Sequence, residues 1–384
     1  MSATTVQVDD TRGATAWRFG LPGLATLAVC FGFARYGYGL FLPRFQAEFG
    51  GSAGALGAVT SAGYVLGLVA LGGVAWSSGR LGARWPVAFG VACAAAGMLM
   101  IGLARGPVLL AAGVAVAGTA PCWVWAPYAD VVQDEVRPAG RRHALAMIST
   151  GTTFGIAVAG SVAALVPGAG WRVVWLAAAA AALVVTGWNL RVLPARPRQA
   201  TEGRAKLFAR PGVGRLLVAA TSFGLVGAAC WSFAGVAVTA GDPRIGPLLW
   251  ALTGLAGAAG LAAGLLVRTQ GLRRVYVAAQ VVIAAASVLF GLAACGWGFA
   301  VAAAVLYGAG FMTGGALLPL RSAALFADRP TRGFSLVIVF NTLGAAAGPA
   351  AFGFVVDHAG LTTAFVLTAA LALASIAVLP GKER

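Results

Sequence analysis

Hydrophobic residues recur in long runs along the whole chain, and short segments containing polar residues, glycine or proline separate these runs. A run of about 20 apolar residues is long enough to cross a bilayer as an α-helix. Twelve such runs can be drawn, and we expect each to form one membrane-spanning helix. Their predicted limits are 18–43, 53–77, 86–104, 107–130, 143–166, 171–193, 213–239, 246–267, 275–294, 297–321, 333–356 and 361–380.

The composition excludes a soluble globular protein. Of 384 residues, 60% are hydrophobic and only 10% are charged, and the mean hydropathy is +0.87. A soluble domain of this size needs more polar residues to cover its surface. The predicted fold class is therefore an all-α polytopic membrane protein. The five cysteines show no metal-ligand spacing, so no metal or cofactor is expected.

The longest polar interruption, near the middle of the chain, suggests a division into two parts. We predict a tail at 1–17, a six-helix bundle at 18–193, a basic linker at 194–212 and a second six-helix bundle at 213–384. The tail lacks the basic start and short apolar core of a cleavable signal peptide. It is interpreted as a cytoplasmic tail.

The net charge of +16 has two explanations, a nucleic-acid partner or a membrane topology signal. If the twelve spans alternate in direction, all but five of the 27 lysines and arginines lie on the side of the tail. This distribution favours the topology signal and predicts cytoplasmic termini in the plasma (inner) membrane, with no nucleic-acid partner. The five exceptions are Arg35, Arg44, Arg105, Arg172 and Arg244.

The two parts of the chain resemble each other. A shift of 192 residues aligns Arg18 with Arg210, Pro127 with Pro319, and the Arg-Pro pair at 137–138 with that at 329–330. Six spans per part is an even number, so both parts enter the membrane in the same direction. Parallel six-span repeats are a known transporter architecture. The GxxxG pairs at 151–155 and 344–348 predict close helix packing in both parts.

Two loops at corresponding places carry a motif. The second span is followed by AWSSGRLGAR at 75–84, and the eighth by GLLVRTQGLR at 264–273. Together with the twelve spans and the repeat, these loops resemble the major facilitator superfamily over essentially the whole chain. The superfamily's acidic loop positions are occupied by Gly79 and Arg268. The matching positions, which the resemblance implies to act in conformational change, are Arg80, Gly82, Arg84, Gly271 and Arg273.

Within that superfamily, FARYGYGLFLP at 33–43 and SAGYVLG at 61–67 resemble the YbfB/YjiJ-type group of bacterial transporters. The resemblance implies a monomeric secondary active transporter that moves a small organic solute by alternating access, with a slight preference for efflux and with proton coupling as an option. An uncoupled facilitator or uptake permease is the alternative. A non-transporting sensor or an enzyme is a more remote one.

Arg35 is the most informative single residue because a charge within a lipid-depth helix is costly and usually functional. It lies about 6 Å from the centre of the first span, at ~1.5 Å per residue. One interpretation is a fixed cation that binds an anionic group of the substrate. The other is a side chain that reaches the outer headgroups or pairs with Glu48. An α-helical period places Phe31, Arg35 and Tyr38 on one face.

The remaining candidates are aromatic or polar residues at lipid depth. Family resemblance places the first, fourth, seventh and tenth helices around the central cavity, although a tyrosine or tryptophan also anchors a helix at the membrane interface. The candidate substrate-binding residues are Arg35, Tyr36, Tyr38, Trp125, Tyr128, Tyr307, Phe311 and Asn341.

The acidic residues and histidines restrict the chemistry. None of the eleven acids is central in a predicted span. Asp130, Glu48 and Asp357 are the options for proton coupling, although each is more typical of a helix cap or a loop, and Asp130 at the end of the fourth span is the candidate. The two histidines lie at span ends, so no catalytic cluster can be built. The chain lacks GxxxxGK[ST], which excludes an ATP-driven pump. We therefore expect a transporter and not an enzyme.

Overall fold

The computed structural model describes residues 15–166, 170–196, 210–239, 245–326 and 330–378. The elements in this part of the chain are helices. Most of the predicted tail, the middle of the predicted linker and the last six residues lie outside the described residues. Below, residues 15–196 are called the first half and residues 210–378 the second half.

The first half begins with one long crossing made of three segments, followed by five further helices. The crossing consists of α1 (Ala16–Leu27), a π-helical segment (Ala28–Arg35) and α2 (Gly37–Phe49). The five helices are α3 (Ala53–Leu81), α4 (Arg84–Gly102), α5 (Pro107–Glu135), α6 (Pro138–Leu165) and α7 (Trp171–Val192).

The second half contains six α-helices and three short 3₁₀ segments. The α-helices are α8 (Val213–Thr239), α9 (Ile245–Ala256), α10 (Ala263–Gln270), α11 (Leu272–Gly291), α12 (Trp297–Leu325) and α13 (Pro330–Ala374). The 3₁₀ segments are Gly257–Ala262, Ala293–Cys295 and Ser375–Val378.

Among the described residues, eleven helical segments are long and apolar enough to cross a membrane. This confirms a multi-span helical membrane protein. The predicted span 333–356 and the described part of 361–380 lie in one run, α13 and the short helix after it, which consists of two helices joined at a kink. That run is interrupted at Gly360, whose φ of 84° is not helical.

The ends of the helices define two opposite faces of the molecule. On one face, Arg84 Nε donates to the Leu193 carbonyl oxygen at 2.6 Å, so the end of α3 lies beside the end of α7. We call it the basic face. On the other face, Arg172 Nη2 binds Glu48 Oε1 at 2.5 Å and the Ala104 carbonyl oxygen at 2.9 Å. We call this one the Glu48 face.

The π-helical segment has wider turns than the α-helices on either side of it. Tyr36 N–H donates to the Phe31 carbonyl oxygen at 2.9 Å, five residues back, where an α-helix would use the fourth. Arg35 still lies over the Phe31 ring, at 5.6 Å. Tyr38 instead packs against Phe45 at 5.7 Å and donates to the Leu56 carbonyl oxygen at 3.1 Å. Tyr38 and Arg35 both contact α3, through Leu56 and Tyr64, while the wider π turns change their angular positions relative to an α-helix. The common face of Phe31, Arg35 and Tyr38 therefore stays a prediction.

The GxxxG pair of α6 packs on the first crossing, as predicted. A Cβ on Gly151 would collide with the Leu24 carbonyl, and one on Gly155 with the Ala28 carbonyl. The two helix backbones are therefore in direct contact over one turn. Only glycine permits this approach, so α6 packs directly on the backbone of the first crossing.

The second half repeats the same arrangement on different helices. A Cβ on Gly344 would collide with the Thr221 carbonyl, and one on Gly348 with the Leu225 carbonyl. The contacted carbonyls are again four residues apart on the first helix of that half. The GxxxG pair of α13 therefore packs on α8 as the pair of α6 packs on the first crossing.

The two halves contact each other mainly through three helix pairs, α2 with α8, α3 with α13 and α6 with α9. Glycines make each contact close. A Cβ on Gly39 would collide with the Trp231 carbonyl, one on Gly57 with the Pro349 carbonyl, and one on Gly254 with the Ala157 amide nitrogen. All three contacts lie on segments that run to the Glu48 face. The described halves are thus tightly closed toward that face.

We expect Cys295 to report which face is external. It is exposed beside the start of α12, on the Glu48 face, whereas Cys30, Cys122 and Cys230 are buried. If the basic face is cytoplasmic, a membrane-impermeant maleimide should label Cys295 in intact cells far faster than in inverted vesicles. Cys295→Ser, which should remove the signal, is the control. Preferential labelling in inverted vesicles would reverse the topology.

Candidate functional site

Arg35 is held between α3 and α5 at the end of the π-helical segment. Its Nη2 donates to the Gly118 carbonyl oxygen at 2.8 Å and approaches Cys122 Sγ at 3.6 Å. Its guanidinium carbon lies 4.6 Å from the centre of the Tyr64 ring. Cation–π contacts of this kind are stronger away from water. The side chain therefore crosses to the middle of α5 and does not extend to the Glu48 face.

No carboxylate balances the charge of Arg35. Among the described residues, none of the acidic side chains bonds to it, and its Nε is buried without a hydrogen-bond partner. The alternative of a pair with Glu48 is wrong, because Glu48 binds Arg172 and accepts from Trp171 Nε1 at 2.9 Å. The guanidinium has a single backbone oxygen and a thiol as partners, which leaves capacity for an anionic acceptor.

Tyr64, whose ring lies under the guanidinium of Arg35, also contacts the second half. It is buried and packs with Ala228 of α8 and Ala345 of α13. Gly67, one turn further along α3, lies between Arg35 and Thr342: a Cβ there would be 3.9 Å from Arg35 Nη2 and 3.8 Å from Thr342 Cγ2. Arg35 is therefore bound by the first half, close to its boundary with the second.

Next to Arg35, an aromatic cluster joins the halves. The Tyr36 ring stacks on Trp231 with 4.5 Å between centroids and an interplanar angle of 29°. Trp231 then contacts Trp250 at 5.3 Å, Tyr307 at 5.2 Å and Phe311 at 5.6 Å. We call these five residues the aromatic cluster. Tyr36 is the member from the first half, so its contact with Trp231 is the one that must change if the halves move.

The aromatic cluster contains unused hydrogen-bond donors. The indole nitrogens of Trp231 and Trp250 are buried and have no partner. Both residues line a small cavity of about 10 Å³, shared with Thr253 and Tyr307. Tyr307 is satisfied, since its hydroxyl donates to the Gly227 carbonyl oxygen at 3.1 Å. The cluster is thus an apolar surface with N–H donors available to a ligand or a water molecule.

The structure brings four of the eight sequence candidates, Arg35, Tyr36, Tyr307 and Phe311, into one region, while the others lie elsewhere. Trp125 meets Phe334 of the second half, with ring centroids 6.2 Å apart. Tyr128 is fully buried inside the first half, where its hydroxyl donates to Asn189 Oδ1. Asn341 donates to the Ala220 carbonyl oxygen at 3.2 Å, and Tyr38 bonds to α3 as described above.

Asp130 lies near the basic face and away from Arg35. It lines a cavity of about 100 Å³ together with Ser78, Asp134, Glu135 and Arg196. Within the described part of the chain, no group of histidine, cysteine or acidic residues could hold a metal ion. The role of Asp130 in proton coupling remains a prediction.

The two motif loops differ in their contacts. In the first loop, Arg84 bonds to Leu193, and a Cβ on Gly82, whose φ is 72°, would collide with the Arg196 backbone. In the second loop, Gly271 has a φ of 84° with open space around it, and Arg273 is exposed. The first loop therefore packs against the start of the predicted linker, whereas nothing packs around Gly271 in the second loop.

The structure places three further residues at the boundary between the halves; sequence reasoning missed the contacts of Trp231 and Trp250 and interpreted Asp357 only as a span-end residue. Trp231 and Trp250 complete the aromatic cluster, and Asp357 accepts hydrogen bonds from the first amides of α3, Ala53 N at 2.9 Å and Gly54 N at 2.7 Å. One signal was available for Trp231. It is the residue equivalent to Gly39 under the 192-residue shift, and equivalent positions of two parallel repeats meet near their symmetry axis.

Comparison with known proteins points to membrane transport. A sequence model of the family described as "Uncharacterised MFS-type transporter YbfB" matches residues 27–379. The fold is similar to that of the nucleoside transporter NupG, with a TM-score of 0.71 and 13% identity over 96% of this chain and 99% of that one. None of the curated protein sequences matches this chain significantly.

Two further solved transporters share the fold. The human organic anion transporter MFSD10 (TETRAN) has a TM-score of 0.71 and 15% identity over 95% of this chain and 99% of its own. A bacterial homologue of the human lysosomal transporter Spinster, in an inward-facing and occupied conformation, has a TM-score of 0.66 and 15% identity over 94% and 93%. At such identities the similarity establishes the fold.

We expect Gly39→Ala to destabilise the contact between the halves. Its methyl group would collide with backbone at Trp231, which cannot move aside as a flexible side chain could. Overpacking of this kind costs about 1–3 kcal/mol, so the Tm of the purified protein should fall by several degrees. Gly72→Ala is the matched control, since nothing lies within 4 Å of the added atom. Equal changes in Tm for the two variants would contradict a tight contact at Gly39.

Proposed function

The chain belongs to the family of MFS-type transporters described by YbfB, and we propose that it is a secondary active transporter that moves a small organic anion by alternating access. The observation that carries the anionic substrate is the charge of the half-buried Arg35, which has no carboxylate partner among the described residues. An arginine recognises a carboxylate through charge-assisted, often bidentate, hydrogen bonds. One similar structure is that of an organic anion transporter, but at 15% identity the proposal depends on Arg35 alone.

We propose twelve crossings arranged as two six-helix bundles joined by a basic linker. The α13 run would be about 68 Å long at ~1.5 Å per residue, more than twice the ~30 Å hydrocarbon thickness. Its break at Gly360 provides the turn between an eleventh and a twelfth crossing. The equivalent GxxxG contacts of α6 and α13 support the repeat, since each packs on carbonyls four residues apart in the first helix of its half.

The contacts between the halves support alternating access. Gly57 of α3 contacts Pro349 of α13. A 192-residue shift turns this pair into residues 249 and 157. Ala157 is indeed in contact with the second half, at Gly254, which is five residues from position 249. Such symmetric contacts at the Glu48 face describe a conformation closed on one side. Transport then requires these contacts to open while the basic face closes.

Asp357 acts as a latch in the closed conformation. Its carboxylate accepts from the amides of Ala53 and Gly54, across the boundary between the halves. These amides begin α3, where the helix dipole favours a negative charge. Nearby, Ala350 N donates to Ser61 Oγ at 3.1 Å across the same boundary. These hydrogen bonds must break when the Glu48 face opens.

The remaining features follow the family resemblance. We propose an inner-membrane location with both termini in the cytoplasm, a monomer, and export as the direction of transport. Asp130 is the candidate for proton coupling, and an uncoupled facilitator or uptake permease is the alternative. A transport assay in vesicles with and without a pH gradient separates the coupled transporter from the facilitator.

We expect Arg35→Gln to abolish the binding of carboxylates. In a panel of small carboxylates and their neutral amides, a carboxylate that binds the wild type should raise its Tm, because binding stabilises the folded state. Loss of a hydrogen bond to a charged group costs about 1.5–3 kcal/mol, which corresponds to roughly 10- to 150-fold weaker binding. The Tm increase should therefore disappear in Arg35→Gln.

Arg105→Gln is the control for this experiment, because Arg105 is exposed at the Glu48 face. It removes the same charge from the protein without touching the site. An unchanged carboxylate response in Arg35→Gln, at equal purity and fold, would overturn the anion proposal.

We expect Asp357→Ala to open the Glu48 face. The variant removes the acceptor that joins the two halves, so a cysteine placed at Ala53 should react faster with an impermeant maleimide than the same cysteine in the parent protein. Cys295→Ser removes the exposed native thiol from both. Glu48→Gln is the matched control, since its partners Arg172 and Trp171 lie in its own half. Equal reaction rates with and without Asp357 would mean that it is not a latch.

A further inference from the structure

We propose that the transported anion is a planar aromatic carboxylate, whose carboxylate binds Arg35 and whose ring packs against Tyr36 and Trp231. This inference rests on the proposed function, because it takes Arg35 as the anion-binding group. It goes beyond that function by assigning the chemistry of the remainder of the substrate. The assignment depends on the position of the aromatic cluster immediately beside Arg35.

The geometry of Arg35 leaves an edge of the guanidinium for the carboxylate. One Nη is held at the Gly118 carbonyl, and the rings of Phe31 and Tyr64 lie over the guanidinium group. The Nε is buried and unpartnered. These contacts orient the group without neutralising it, and a carboxylate supplies both the missing charge and the missing acceptor.

In the proposed binding mode, the ring of the substrate takes the place of the stacking contact between Tyr36 and Trp231, which transport must break. Tyr36 follows Arg35 in the chain, and its ring lies face to face with Trp231 of the second half. When the halves separate, both rings lose an aromatic neighbour. A planar ring between them restores stacking on each side, whereas a puckered or branched group does not. Stacked aromatic pairs prefer centroid separations of about 4.5–7 Å, the range found throughout the cluster.

The other chemistry of the site favours an aromatic anion over a cationic aromatic compound. The indole N–H groups of Trp231 and Trp250 are donors without acceptors. Among the described residues, the cluster contains no carboxylate that would bind a cation, and Arg35 would repel one. A neutral aromatic compound would leave the charge of Arg35 uncompensated. An aromatic carboxylate is the class that satisfies both ends of the site.

The test compares four probes with the purified full-length protein, by thermal stabilisation and by quenching of tryptophan fluorescence. Benzoate carries the carboxylate and a planar ring, cyclohexanecarboxylate the carboxylate and a puckered ring, benzamide the planar ring without charge, and benzylamine the planar ring with a cation. We expect benzoate to bind about five- to tenfold more tightly than cyclohexanecarboxylate, the ratio that a stacked ring contributes. Benzamide and benzylamine should bind far more weakly.

Variants of Tyr36 and Arg35 separate the two parts of the site. Tyr36→Leu should bring the affinities for benzoate and cyclohexanecarboxylate to the same value, while Tyr36→Phe, which keeps the ring, should preserve the preference. Arg35→Gln should abolish binding of both acids. Tyr36→Phe also shows whether any loss in Tyr36→Leu comes from the ring and not from misfolding.

Each unfavourable result has its own meaning. If the wild type binds the two acids equally and Arg35→Gln loses both, the aromatic assignment is overturned while the anion transporter stands. If neither acid binds, or if benzylamine binds best, the proposed function is overturned and the aromatic carboxylate with it. A benzoate preference that survives in Tyr36→Leu also overturns the assignment of the ring to Tyr36.

Discussion

Direct contact between helix backbones is the constraint on which the rest of this structure depends. In lipid, backbone polar groups are satisfied within each helix, and apolar side chains gain little by moving from lipid to protein. The helices therefore associate by close packing, which requires a position with no side chain. Gly151 and Gly155 provide it inside the first half, and Gly39 provides it between the halves. The approach at Gly155 places the segment that ends at Arg35, and the approach at Gly39 places α2 against Trp231.

Arg35 illustrates that dependence. The π-helical segment that ends at this residue packs on α6 through Gly155, and the same segment directs the guanidinium to Gly118 of α5. The next residue, Tyr36, then faces the second half and not the lipid. A binding charge and an aromatic contact between the halves are thus consecutive in the chain. Substrate recognition and movement of the halves are coupled in the proposed mechanism because the same short segment carries both.

Much of the fold could be predicted because membrane insertion depends on local hydropathy. The spans could be drawn from apolar runs, although 86–104 and 107–130 were hard to separate because only ARGP at 104–107 divides them. Arg35 was conspicuous because a charge is rare in such a run. The break between the last two spans was predicted at the polar segment DHAG, residues 357–360, and the helical run is interrupted there at Gly360. The π-helical backbone at 28–35 could not be predicted, because the apolar pattern of the sequence was interpreted with an α-helical period.

The sequence by itself determined a multi-span helical membrane protein of the transporter family, with a cation at lipid depth and glycines at packing positions. These features are local, because hydropathy, charge and the absence of a side chain act at each position separately. Only the tertiary structure decided that Arg35 has no acidic partner in the described part of the chain, that Tyr36 stacks on Trp231 and that Asp357 binds the start of α3. Each of these depends on which helices lie side by side, and that is set by distant backbone contacts together.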